Sequence, residues 1–277
     1  MAKAEVAVKE NNLPAHIAGA QVTGAGVSTD QSDMLIPMLK ILQALSPEVE
    51  KKGAEYVPGA EPGMILIKNA PNPLIDGEKG FLFQHVASNK AIVEWVPRDS
   101  GGGGGQGFVA TYETMPASMV MAPSPTDPKK KIAINKDNGN LLVETRYHAG
   151  YIIDPEGKAA PMPAVIPFSS TGHTVAKGWN FLMAQQMVGN KVADSWFVYY
   201  QIKTKLRSKG TQRWYILDIT NAGPVDKITN RPTVLWAPTQ ADLDRGKALY
   251  TSLASGKVKM EQGVAEDGGA EEDDGKM

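Results

Sequence analysis

Apolar and polar positions along the chain follow two different periods. Over most of its length the alternation is that of strands. Short runs at Gly63–Lys68, Gly80–Val86, Ala91–Pro97, Phe108–Thr114, Leu141–Ile153 and Ala164–Phe168 are rich in β-branched and aromatic residues and bounded by Gly, Pro and Asn. Asn89 and Lys90 are expected in or beside the turn joining the second and third runs. Pro116, Pro123, Pro125 and Pro128, followed by Lys129–Lys131, predict a loop insertion over 115–140. The period then changes. Val175, Trp179, Leu182, Met183 and Gln186 fall on one side of a helix over 174–188, with Ser169–Thr171 as upstream capping residues. Two strands, Ser195–Arg207 and Thr211–Thr220, follow as a hairpin joined by Ser208–Lys209–Gly210. Thr239–Ser255 predicts a last helix. Thr239 and Asp242 approximate a capping box, Leu243, Tyr250 and Leu253 share a face, and Gly256 is the stop. Residues 34–45 fit two patterns: Leu35, Met38, Leu39 and Leu42 make a helical face broken by Pro37, and Leu39 and Ile41 fit a strand.

The pattern as a whole predicts a mainly β (β-rich α+β) fold. Strands, one helix, then a C-terminal hairpin is the order of an OB-fold-like barrel, with a further helix after it. The expected division is a flexible arm over 1–31, one domain over 32–256 and a disordered tail over 257–277.

Composition narrows the function classes. The 277 residues contain no Cys, which removes disulfides, thiolate zinc sites and cysteine nucleophiles. No apolar run is long enough to cross a membrane as a helix, and the first residues lack the apolar core of a signal peptide, so a cytoplasmic protein is expected. The net charge of −1 conceals an asymmetry. Glu261, Glu266, Asp267, Glu271, Glu272, Asp273 and Asp274 face one base, Lys276, so residues 261–277 carry −6 and the preceding 260 carry +5. A mildly basic body with an acidic, Gly-rich end reads as a domain plus an interaction or solubilising tail.

The hairpin concentrates the chemistry. Ser195–Leu217 holds five bases and six aromatics and no acid. Alternation assigns Trp196, Val198, Tyr200, Ile202, Thr204 and Leu206, with Trp214 and Ile216, to a core face. The other face is expected to carry the rings of Phe197, Tyr199 and Tyr215 beside Lys203, Lys205, Arg207 and Arg213, with Lys209 at the turn. Rings stack unpaired bases and cations follow phosphates, so this face points to single-stranded nucleic acid, DNA or RNA. Strand propensity and edge protection by Lys explain the same residues without a ligand.

A basic, aromatic-lined, OB-like body with an acidic C-terminal tail resembles the single-stranded DNA-binding proteins of bacteriophage replication and recombination. The stretches IPMLKILQALSPEV (36–49) and IPFSSTGHTVAKGWNFLM (166–183) are similar to phage proteins of this kind. The resemblance implies a non-enzymatic protein of the host-cell cytoplasm, compatible with a homo-oligomer, needing no cofactor. It also implies a tail, Glu261–Asp274, that covers the DNA groove and recruits replication proteins. The ending Gly275–Lys276–Met277 lacks the aromatic residue common in such tails.

Other signals are weak. Gly102, Gly104 and Gly107 meet a dinucleotide-binding pattern only because glycine fills the segment. His16, His85, His148 and His173 lack metal-ligand spacing, which leaves His173, near a helix start, as a phosphate contact at most. Asp194, Asp218 and Asp226 would have to gather in space to support a metal-dependent nuclease. A virion structural or assembly protein is the other alternative.

Overall fold

The computed structural model describes residues 35–67, 70, 73–96, 108–124, 128–154, 160–169 and 172–260. The expected arm over 1–31, the glycine run at 101–107 and the acidic residues 261–274 lie outside the described residues.

In chain order the elements are β1 (Leu35–Ile36), β2 (Leu39–Ile41), β3 (Ile65–Ile67), β4 (Leu74–Ile75), β5 (Phe81–Trp95), β6 (Phe108–Tyr112), β7 (Met119–Pro123), β8 (Lys131–Asn135), β9 (Leu141–Ile153), β10 (Met162–Phe168), α1 (His173–Ala184), β11 (Met187–Val188), β12 (Lys191–Val192), β13 (Val198–Lys209), β14 (Gln212–Asn221), β15 (Leu235–Trp236), α2 (Gln240–Ala254) and β16 (Lys259–Met260). The fold is mainly β, as the alternation predicts. Nine strands form one antiparallel sheet ordered β14-β13-β5-β9-β8-β7, with β10 on β9, β15 on β13 and β6 on β5. The ends of this path do not meet among the described residues, so the expected OB barrel closure is not seen.

Strand β5 is the spine of the sheet, and it differs from the reading of two strands and a turn. It runs unbroken for 15 residues, and Asn89 and Lys90 pair with Tyr147 and Arg146 of β9. A register shift between His85 and Ala87 hides this continuity. One extra residue, Val86, reverses which positions face which side. Phe81 and Phe83 therefore pack on one face of the sheet, while Ala91, Val93 and Trp95 pack on the other.

Each face has its own core. On the first, Phe81, Phe83, Ile166, Phe168, Tyr200 and Ile202 meet Trp179 of α1 and the small sheet β2-β3-β4 through Leu39, Ile65 and Ile67. On the second, Val86, Ala91, Val93, Trp95, Tyr147 and Ala149 meet Leu249 of α2 and Ile36 of β1. Helix α2 starts with the expected capping box, the Thr239 hydroxyl accepting from the Asp242 N–H while Asp242 accepts from the Thr239 N–H. Its buried residues are Gly246 and Leu249, with Leu253 packed beside them as expected, while Leu243 is only half-buried; at Gly246 the helix lies so close that a Cβ would overlap the Trp196 ring. Helix α1 is shorter than expected and its N-cap, Gly172, makes no side-chain cap; residues 170 and 171 lie outside the described residues.

The two patterns that fit residues 34–45 are decided in favour of strands, at Leu35–Ile36 and Leu39–Ile41: Pro37 cannot donate to a helical turn, and Met38 bridges Val165 of β10. Two further expectations change. Within the segment expected as a loop insertion, β7 and β8 pair from Met119–Asn135 to Pro123–Lys131. Lys259 and Met260, assigned to the tail, form β16 in parallel with Leu35 and Ile36.

Candidate nucleic-acid interface

The hairpin found in the sequence is β13–β14, but its register differs from expectation, and that changes which side chains meet. Pairing runs from Tyr200–Asn221 to Lys209–Gln212, leaving a two-residue loop, Gly210–Thr211. Gly210 has φ 58°, the left-handed conformation a two-residue loop asks of its first position. Directly opposed residues share a face. A two-residue loop sets odd positions of β13 against even positions of β14, whereas the expected three-residue link would have set odd against odd. One face thus carries Lys203, Lys205, Arg207 and Lys209 opposite Asp218, Ile216, Trp214 and Gln212. The other carries Thr204, Leu206 and Ser208 opposite Leu217, Tyr215 and Arg213. Arg213 and Tyr215 are therefore separated from the Lys203–Arg207 row, and Trp214 joins it.

The ribbon extends beyond the sheet because β5 pairs with β13 only over Tyr199–Ile202. Its root is held on one face. The Thr204 N–H donates to the Gly77 carbonyl at 2.8 Å and its hydroxyl to the Gly63 carbonyl at 2.7 Å. The Gln43 amide brackets the Tyr215 backbone, donating to its carbonyl at 2.9 Å and accepting its N–H at 2.8 Å. Gly63 sits where a Cβ would collide with the Tyr215 ring, so the ribbon lies close on the loop at this point. The opposite face is left outward: Lys203, Lys205, Arg207 and Lys209 are exposed, and Trp214 and Ile216 are half-buried. Among the described residues no carboxylate lies within ion-pairing distance of Lys203, Lys205, Arg207 or Arg213.

The three rings expected to stack bases are occupied in packing. Phe197 ends a 3-10 turn, Ser195–Phe197, and packs on the first core. Tyr199 is 4% exposed beneath α2. Its hydroxyl accepts from Arg245 at 3.3 Å and is bonded to Asp242, and burial first, then Asp242, pushes the phenol up to about 12. Tyr215 is half-buried on Gly63, as above. Trp196, expected on the core face of a strand, lies instead in the 3-10 turn, 5.1 Å from the Tyr250 ring of α2.

The remaining candidates also find their places. Asp226 accepts from the Ile228 and Thr229 N–H groups and stabilises its own turn, which holds its carboxyl below the usual range. Among the described residues no three His, Asp or Glu side chains gather as a metal site, Asp194 and Asp218 included. His173 engages the Glu144 carbonyl at 2.9 Å. Spacing could not reveal one cluster: His85 Nε2 and His148 Nδ1 lie 3.1 Å apart, and His148 stacks on Trp179 at 4.8 Å. The two histidines are 63 residues apart in the chain, and only the β5–β9 pairing brings them together.

Among the described residues no helix is long and apolar enough to cross a membrane. No curated protein and no solved structure matches the chain. One family model does match, over residues 8–259, described as Pam3 phage gp34-like protein. That span covers both cores and the hairpin, and the chain belongs to the Pam3 phage gp34-like protein family, a family of phage proteins.

Proposed function

We propose that this phage protein binds single-stranded DNA, without catalysing a reaction on it, through the outward face of the β13–β14 ribbon. The observation that carries the reading is the register that lines up Lys203, Lys205, Arg207 and Lys209 on one side and sets Trp214 opposite Arg207. The four cations neutralise successive phosphates and Trp214 offers a ring to a base. Tyr199, Phe197 and Tyr215 support the ribbon rather than touch the strand, and Arg213 lies on its other face. A closed OB barrel is not needed for this contact. The acidic residues Glu261–Asp274 follow β16 directly. They compete with phosphate for the basic body and serve as the docking segment for replication proteins in the host cytoplasm.

The test is fluorescence anisotropy of a labelled oligothymidine across a salt series. Neutralising about four phosphates predicts a slope of log affinity on log salt of roughly −3. Trp214→Ala is expected to weaken binding by about 5- to 150-fold, the range of one stacked base. Lys205→Gln with Arg207→Gln is expected to flatten the slope. Removal of residues 261–277 is expected to tighten binding. An oligouridine arm separates RNA from DNA preference. Absence of binding at low salt ends the reading.

A further inference from the structure

On the sheet face covered by α1, away from the ribbon cations, there is a cavity of about 360 Å³. The described residues that line it all carry polar side chains: Ser88, Asn89 and Lys90 of β5, Arg146 and His148 of β9, and Asn180 of α1. The bulge at Val86 and the antiparallel register build it. Ser88 stands opposite His148, and Lys90 opposite Arg146, so two donor-bearing pairs lie in adjacent rows of one face. Glu144 holds the cations in position, 3.9 Å from Lys90 Nζ and 3.2 Å from Arg146 Nε. One carboxylate against two cations leaves a positive surplus, and the Arg146 contact uses Nε, leaving the terminal guanidinium amines for another acceptor.

At the inner end is His148, 1% exposed. Its Nδ1 is bonded to His85 Nε2, while its Nε2 is buried with no hydrogen-bond partner. A buried polar atom left without a partner costs free energy, so the site stands ready for one. In the tautomer in which His85 Nε2–H donates to His148 Nδ1, His148 carries its proton on Nε2 and is a donor. Burial keeps both rings below their usual range and hence neutral.

We propose that this cavity is a binding site for a phosphate group carried on a small polar molecule. Donors reach it from three sides, the hydroxyl and ammonium on β5, the guanidinium and imidazole on β9 and the amide on α1. That arrangement suits a tetrahedral oxyanion better than a planar carboxylate. Among the described lining residues there is no Phe, Tyr, Trp, Leu, Ile or Val side chain to sandwich a base, and the volume exceeds that of a bare anion, so the carrier is of sugar-phosphate type rather than a stacked nucleotide.

The proposal does not depend on DNA binding. Isothermal titration at constant ionic strength with inorganic phosphate and with ribose 5-phosphate tests it, beside histidine side-chain nitrogen spectra. Phosphate is expected to bind and to move the His148 Nε2 resonance. Lys90→Gln, whose side chain is largely exposed, and Asn180→Asp are each expected to weaken binding roughly tenfold or more, as loss of a charge-assisted bond does. Lys205→Gln on the ribbon is expected to leave it unchanged. Tighter binding of ribose 5-phosphate supports the carrier as well as the phosphate group. No binding of either probe, binding indifferent to Lys90→Gln and Asn180→Asp, or binding lost in Lys205→Gln overturns the proposal.

Discussion

Glu94 is a buried carboxylate held entirely by neutral donors, and its removal gives the sharpest test of how the sheet is fastened. It lies on β5, 1% exposed. The Tyr112 hydroxyl of β6 donates to it, as do the amides of Asn138 at 2.6 Å, Asn140 at 2.7 Å and Asn135 at 3.3 Å around the β8–β9 turn. Burial by itself would raise its pKa, yet the bonds from Tyr112, Asn140, Asn138 and Asn135 outweigh that and bring it to about 2 from 4.5. A folded value below the unfolded one means the carboxylate stabilises fully above pH 4.5 and progressively loses that contribution as pH falls toward 2. At about 1.4 kcal/mol per unit the shift corresponds to roughly 3 kcal/mol at most. Water near the hairpin end screens part of it, so about 1–3 kcal/mol is expected. Glu94→Gln keeps the shape but turns an amide toward other amides, leaving donors unpaired at about 1–3 kcal/mol. Denaturant unfolding of parent and variant at several values between pH 7 and pH 2.5 measures both effects. The variant should be less stable at pH 7, and the difference should shrink as pH falls below 4.5. A difference that is zero at pH 7, or that does not change with pH, refutes the account.

Three other outcomes follow from the packing. Trp179→Ala, removing the ring between His148, Phe83, Phe168 and Tyr200, should cost about 3–5 kcal/mol in denaturant unfolding. Gly246→Ala should lower stability by about 1–3 kcal/mol, because the added Cβ would overlap Trp196 and push α2 off the sheet; a thermal melt equal to the parent would show that α2 shifts freely. Lys40→Met should destabilise by about 3–5 kcal/mol by stranding the buried Glu48 carboxylate, now 3.0 Å from Lys40 Nζ, and Lys40→Met with Glu48→Leu should recover most of that loss.

Local signals in the chain were readable where they rest on near neighbours. The capping box at Thr239 and Asp242, the period through Trp179 and the long strand over Leu141–Ile153 all appear as expected. What was hidden depends on a count of one. The extra residue at Val86 joins two short runs into one strand while reversing its faces, and apolar alternation interrupted by Ser88, Asn89 and Lys90 looks like a turn. The loop at Gly210–Thr211 is one residue shorter than its Ser-Lys-Gly sequence suggests, which exchanges Trp214 for Tyr215 on the cationic face. Tyr199 alternates correctly as a residue facing away from the first core, but the sequence carries no sign that α2 covers that side. The His85–His148 contact and the cavity beside it arise from pairing across 63 residues, beyond the reach of any local pattern.

The parallel pairing of Leu35–Ile36 with Lys259–Met260 works as a clasp between the first and last of the described residues. Ile36 and Met260 both pack into the core beneath α2, so unfastening one loosens the seat of the other. A shortened chain that stops at Gly256 would discard one half of the clasp along with the acidic residues, so its behaviour would report a disturbed body as well as lost charge. Trimming must stop after Met260. By the same token, a short linker bridging residues 35 and 260 would make new chain openings at distant loops a practical way to move the extremities while keeping the body whole.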